Sequence, residues 1–203
     1  MGQLSVRADG DLQEVSTPVG SSWVNHNPDS VINGLLVASD RLIDISTDSR
    51  LGLTSQQPYF CQVIAPAAIT VGGVALRINF TAFQYDNNYN NAIALFDLSG
   101  NRLAVGNAGP NYRDYSGWNR IAFDAPYTLV AGMRYLIGII VDGNSPGFNT
   151  ANGHSEINAR IPSGSLPRTF RKSNVPNFAA ASLDLTTGIM ANAGERLFLS
   201  LVA

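Results

Sequence analysis

The 203-residue sequence predicts an all-β fold, an antiparallel β-sandwich of jelly-roll-like type with an extended N-terminal arm, on three observations. Turn formers are abundant: 19 Gly, 19 Asn and 10 Pro. Such residues supply positive φ, Asx turns and fixed φ, so they point to many short strands joined by turns. The usual material of exposed helices is scarce. Glu occurs only at Glu14, Glu156 and Glu195, Lys only at Lys172, and charged residues make up 14% of the chain against about 25% in an average domain. Finally, several short segments alternate apolar and polar residues with period two, the signature of half-buried strands. These observations exclude a helical bundle or coiled coil.

The elements follow in order. Residues 1–22 are polar and turn-rich, and are read as an arm outside the core, laid against a neighbouring subunit; residues 23–203 form the sandwich domain. Asn27-Pro-Asp-Ser30 offers a helix cap, while Leu35, Val37, Leu42 and Ile45 fit strands equally well. Val74-Ala-Leu-Arg-Ile-Asn-Phe80 places Val74, Leu76, Ile78 and Phe80 on one face. Ala92–Asp97 and Arg102–Val105 flank Leu98-Ser-Gly-Asn101; Gly100 and Asn101 tolerate positive φ, which predicts a β-hairpin. Asn119–Asp124 turns Ile121 and Phe123 inward, with Pro126 expected to end the strand. Val130-Ala-Gly-Met133 is a turn before the apolar strand 134–141. Arg196–Val202 puts Leu197, Leu199 and Leu201 on one face. Long connections fall at 84–91, 106–118, 143–156 and 162–178, where binding is expected.

A net charge of −2 gives no basic face for phosphate neutralisation, so nucleic acid is not an expected partner. No apolar run reaches the roughly 18–20 residues of a membrane span, and no membrane insertion is expected. The N-terminus lacks a basic-then-apolar leader, so synthesis and folding are expected in a cytosol.

Gly143-Asn-Ser145-Pro-Gly147 matches the G-x-S-x-G elbow of serine hydrolases. The residue after the serine is a proline, however, and has no N–H for an oxyanion hole. His26 and His154 sit in polar loops without Cys or Glu at ligand spacing, so no metal site is expected. Cys61 follows an aromatic pair in a strand and reads as a small core hydrophobe. Asp86, Asn88 and Asn90 have calcium-loop spacing but supply one carboxylate. No catalytic residue and no cofactor is assigned.

Two groups remain as candidate contacts. Tyr85, Tyr89, Tyr112 and Tyr115 lie among Asn and Asp in loops or at strand mouths, a combination that suits either a glycan or a subunit interface. Trp118, nearby, is read as core. Arg168, Arg171 and Lys172 surround Phe170 in a stretch that Pro162, Pro167 and Pro176 keep extended. This is read as a partner-binding loop, with Phe170 as its apolar anchor and the cations facing an acidic partner surface.

A resemblance joins these pieces. Gly52-Leu-Thr-Ser-Gln-Gln-Pro-Tyr-Phe60, Ala92-Ile-Ala-Leu-Phe-Asp-Leu-Ser-Gly-Asn-Arg-Leu103, Gly117-Trp-Asn-Arg-Ile-Ala-Phe123 and Leu129-Val-Ala-Gly-Met-Arg-Tyr-Leu-Ile-Gly-Ile139 occur in series. The series resembles the β-sandwich module of bacteriophage tail fibres and other virion proteins, over roughly residues 52–142. The resemblance implies a virion location after synthesis in the host cytoplasm. It also implies a non-enzymatic structural role: a capsid decoration (cement) protein or a small head- or tail-fibre component. The partners would be other virion proteins and further copies of the chain. The alternative is a carbohydrate-binding module that recognises a host surface glycan.

Overall fold

The computed structural model describes residues 3–6, 12–15, 35–38, 45–80, 90–114, 117–142, 147–151, 166, 169–191, 196–197 and 199–203. In chain order the strands are β1 (Gln3–Val6), β2 (Leu12–Val15), β3 (Leu35–Ala38), β4 (Ile45–Leu51), β5 (Tyr59–Ile64), β6 (Thr70–Phe80), β7 (Ala92–Asp97) and β8 (Arg102–Asn107). One helical turn, α1 (Gly109–Asp114), follows. The remaining strands are β9 (Gly117–Thr128), β10 (Arg134–Ile140), β11 (Gly147–Ala151), β12 (Thr169–Lys172), β13 (Ile189–Ala191), β14 (Arg196–Leu197) and β15 (Leu199–Val202).

The strands form two main antiparallel sheets. One has the order β13-β12-β5-β10-β7-β8. The other runs β14-β11-β6-β15-β3, with β4 paired to β11 and β9 to β6. The sandwich predicted from alternation is therefore the observed architecture. Within residues 1–22, read from sequence as an extended arm, β1 and β2 pair with each other, Gln3 opposite Val15, and among the described residues with no other strand. The expected 92–105 hairpin is β7–β8, with Gly100 at φ 86°. Asp97 Oδ1 accepts the amides of Ser99 (2.8 Å) and Asn101 (2.9 Å) and locks that turn.

Two expectations are corrected. The segments 106–118 and 143–156 are not all loop: α1 lies within the first, its start fixed by Asn107 Oδ1 accepting the Gly109 amide at 3.0 Å, and β11 lies within the second, paired with β4 and β6. Nor does Pro126 end its strand. β9 runs on to Thr128 because its register against β6 slips between Val71↔Tyr127 and Gly73↔Ala122. The irregularity takes Pro126 out of the ladder, where its missing N–H costs nothing.

The main core lies between the sheets. Tyr59, Cys61 and Val63 of β5, Ile93 and Leu95 of β7, and Ile137 and Ile139 of β10 meet Val74, Leu76 and Ile78 of β6, Ile121 of β9, and Leu199 and Leu201 of β15. The Leu197 amide donates to the Tyr59 hydroxyl at 3.1 Å, a polar tie across this core. At one side the sandwich nearly closes on itself. A Cβ on Gly106 of β8 would overlap the carbonyl oxygen of Ala122 in β9, so only glycine permits that approach.

The six-stranded sheet is buried on its outer face as well. Phe60, Phe96, Leu136, Ile140 and Phe170 lie there under a strap, residues 173–188, which contributes Val175 and Phe178. Phe60 and Phe170 stack with centroids 5.0 Å apart, and Phe178 meets Phe96 edge-on at 5.4 Å. The strap has few backbone ladders of its own and is pinned at both ends. Arg102 donates from its backbone to Ala181 O (2.7 Å) and from Nη1 to the carbonyls of Phe178 and Ala179, and the Leu183 amide returns to Gly100 O at 2.8 Å. At the other end Lys172 Nζ donates to Thr187 O at 2.7 Å, and the Ser173 amide to Gly188 O at 3.0 Å.

Candidate functional site

The ends of a sandwich are built by its turns, and here the two ends differ in chemistry. At one end Ser55 Oγ donates to Asp142 Oδ1 at 2.7 Å, and Asn90 Nδ2 approaches Asp142 Oδ2 at 3.5 Å. The Asp142 amide in turn donates to Asn91 Oδ1 at 3.0 Å. This polar knot ties three connections together. Asn91 Nδ2 and the Tyr112 hydroxyl are buried there without a hydrogen-bond partner. Burial alone pushes the Tyr112 phenol well above its ordinary pKa, so it stays neutral.

The other end is apolar. It is made by the 65–69 connection and the 129–133 turn. The Met133 amide donates to Val130 O at 3.2 Å with Gly132 at φ 77°, a type II turn that needs glycine at its third position. Further bonds tie the two connections: Ala65 N to Met133 O at 3.0 Å, Gly132 N to Ala65 O at 2.8 Å, and Leu129 N to Ile69 O at 2.8 Å. The Val130 amide donates to the Tyr135 hydroxyl at 2.8 Å. Ala65 and Leu129 plug the core from beneath. Ile64, Val130 and Met133 stand out from this frame, 57%, 57% and 54% exposed, beside exposed Pro66, Ala67 and Ala68. A single exposed apolar residue means little, but one at a strand end and two on the cross-bonded turn beside it form a patch of preset shape.

The sequence-derived candidates fall elsewhere. Phe170 is fully buried against Phe60 in the outer core, so it cannot anchor a partner. Its segment is a ladder strand of the six-stranded sheet, held between β5 and β13. Lys172 is buried too, its ammonium spent on the Thr187 carbonyl, and Arg171 is half-buried. Arg168 lies outside the described residues. The docking-loop reading thus loses its Phe170 anchor and its Lys172 cation, since Lys172 serves to pin the strap. Tyr112 is buried edge-on to Phe148 at 5.5 Å, not a surface aromatic. Tyr85, Tyr89 and Tyr115 lie outside the described residues, as do His26, His154, Ser145, Asp86 and Asn88. Trp118, expected in the core, is 43% exposed on the outer face of β9. Cys61 is a buried core residue, as expected.

Among the described residues no three His, Cys, Asp or Glu side chains converge, and no helix is long and apolar enough to cross a membrane. Sequence reading missed the apolar end because Ile64, Val130 and Met133 are brought together only by the pairing of β5 with β10, Arg134 standing opposite Ile64. Compared with known proteins, the sequence matches no family model and no curated protein.

Proposed function

We propose that the chain is a non-enzymatic structural subunit of a bacteriophage particle, a capsid decoration protein or small head- or tail-fibre component, which docks on other virion proteins through the apolar end of its sandwich. The observation that carries the docking is the exposure of Ile64 at the end of β5 and of Val130 and Met133 on the adjoining backbone-bonded turn. Such a surface loses little conformational freedom on binding, so more of the burial energy appears as affinity. The particle itself is supported by the resemblance over residues 52–142. The mechanism is burial: a contact of about 1,600 Å², repeated by symmetry, stabilises a shell without any single strong bond.

The test uses phage particles purified from the host that makes the chain. Mass spectrometry should recover it as a stoichiometric component. An Ile64→Asp, Met133→Asp variant should fold with an unchanged circular dichroism spectrum yet be missing from particles. Recovery of the wild type only in the soluble fraction would overturn the particle role. Full incorporation of the double variant would overturn the docking surface.

A further inference from the structure

We propose that the outer face of β9, where it adjoins β6, is a binding site for an acidic saccharide, with Trp118 as the stacking surface and Arg77 and Arg120 as the groups that hold its carboxylates. Outward residues on β9 are Trp118, Arg120, Ala122 and Asp124, alternating with the inward Ile121 and Phe123. On β6 the partners of this row are Arg77 opposite Trp118, Ala75 opposite Arg120 and Gly73 opposite Ala122. Directly opposed residues of an antiparallel pair share a face with Cα atoms roughly 4.5–5.5 Å apart, and residues two along a strand stand about 7 Å apart. The indole therefore has one guanidinium beside it and a second one step along the same row.

Arg120 is already positioned, since its Nη2 donates to Ala203 O at 3.1 Å and leaves the remaining N–H donors of the fork available. Among the described residues, the carboxylate on this row is Asp124, four residues beyond Arg120 and so about 13 Å away along the strand. Among the described side chains the row is thus net positive, two guanidinium groups against one carboxylate, on a chain whose net charge is −2. That complementarity selects an anionic ligand, and a planar guanidinium pairs well with a carboxylate.

The shape selects a sugar rather than a peptide. Among the described residues the face beyond the arginines carries Ala75, Ala122 and Gly73, so it is shallow there and offers no recess for a peptide side chain. Ala75 of β6 and Ser200 and Val202 of β15 are buried, which confines the open part to the β9 row and Arg77. Strand addition is blocked as well. β6 is paired on both sides, and the free edge of β9 lies against β8 at Gly106. A ligand must lie flat on the face, presenting an apolar ring surface to Trp118 and a carboxylate to the arginines. A uronic-acid pyranose does both.

The probe is tetragalacturonate, with maltotetraose as its neutral counterpart and hexaglutamate as an acidic peptide. Calorimetry on the full chain gives affinity, and Trp118 fluorescence in a Trp23→Phe background gives location. The expected result is saturable binding of tetragalacturonate with a change in Trp118 emission, weakened by salt. Trp118→Ala and Arg77→Gln should each weaken binding about tenfold or more, the equivalent of about 1.4 kcal/mol, while Trp118→Phe keeps most of it. These side chains are partly or well exposed, and circular dichroism checks that each variant folds. Three results would overturn the proposal: no saturation at millimolar sugar, equal binding of maltotetraose or hexaglutamate, or unchanged affinity in Trp118→Ala. The site is remote from the apolar end, so Trp118→Ala should enter particles normally, and the two readings can fail independently.

Discussion

Gly138 in β10 sits beneath the aromatic cluster of the outer core, and Gly138→Ala tests how tightly that cluster is packed. A Cβ at this position would lie 2.7 Å from Phe60 Cε1, 3.0 Å from Phe178 Cζ and 3.1 Å from Phe60 Cδ1. Real Cβ atoms do not approach ring carbons that closely, so the rings must move. Phe60 cannot move freely: it is stacked on Phe170 at 5.0 Å, edge-on to Phe96 at 5.8 Å, and beside Phe178 at 5.9 Å. Overpacking a filled core costs about 1–3 kcal/mol. Opposing this, alanine restricts the unfolded chain and returns about 0.4–1 kcal/mol. The net expectation is a loss of about 1–2 kcal/mol, equivalent to roughly 3–6 °C in Tm for a domain of this size. Urea denaturation followed by circular dichroism measures it. The double variant Gly138→Ala, Phe178→Leu should lose less than the two single losses combined, by at least about 0.5 kcal/mol, because the smaller side chain relieves the overlap. A neutral or stabilising Gly138→Ala, or strict additivity with Phe178→Leu, would show that the strap is loosely seated and refute the reasoning.

Other expectations follow from the same packing. Gly106→Ala should cost more, roughly 3 kcal/mol, because its Cβ meets the backbone oxygen of Ala122, which cannot rotate aside; its urea midpoint should fall below that of Gly138→Ala. Arg102→Met removes the two side-chain bonds to Phe178 and Ala179. About 1–2 kcal/mol of local stability should go with them, seen as faster hydrogen exchange at the Leu183 amide and new protease cuts within 173–188. The Asp184 carboxyl accepts bonds from Thr186 and Thr187, which hold its pKa far below the ordinary carboxylate range. A depressed folded pKa means that its contribution is present in full above about pH 4 and is lost only as the pH falls through the folded value. A carbon-13 titration of Asp184 should therefore show no inflection near pH 4, and Asp184→Asn should speed exchange at the Thr186 amide at neutral pH.

Legibility in the sequence followed the range of the interaction. The β7–β8 hairpin was readable because its determinants, Asp97, Gly100 and Asn101, lie within five residues. Trp118 was misassigned although the signal was present. If Ile121 and Phe123 face inward, the parity of a strand sends Trp118 outward with Arg120, and composition alone had argued for the core. Phe170 and Lys172 were misread for another reason. Arginine, lysine and proline around one aromatic look like a solvated loop until β12 is seen to pair with β5, more than a hundred residues earlier. The double-sided burial of the six-stranded sheet did leave a trace, in the unbroken apolar run Tyr135–Val141. An antiparallel strand with one wet face should alternate, so the absence of alternation marked a second cover. The identity of that cover, an irregular strap without periodicity, could not be inferred from pattern.

β15 lies in the interior of its sheet, between β6 and β3, yet it comprises residues 199–202. During synthesis β6 emerges more than a hundred residues before the strand that covers one of its edges. Until Leu199 and Leu201 leave the ribosome, the apolar face of β6 and an unpaired edge remain open to other nascent chains. Pairings this distant in sequence also make closure slow, since the intervening loop entropy is spent before the contacts form. Yield in a heterologous host should therefore depend on how long this half-built sheet is shielded, and holding chaperones or a lowered growth temperature should raise the soluble fraction more than any change to the surface.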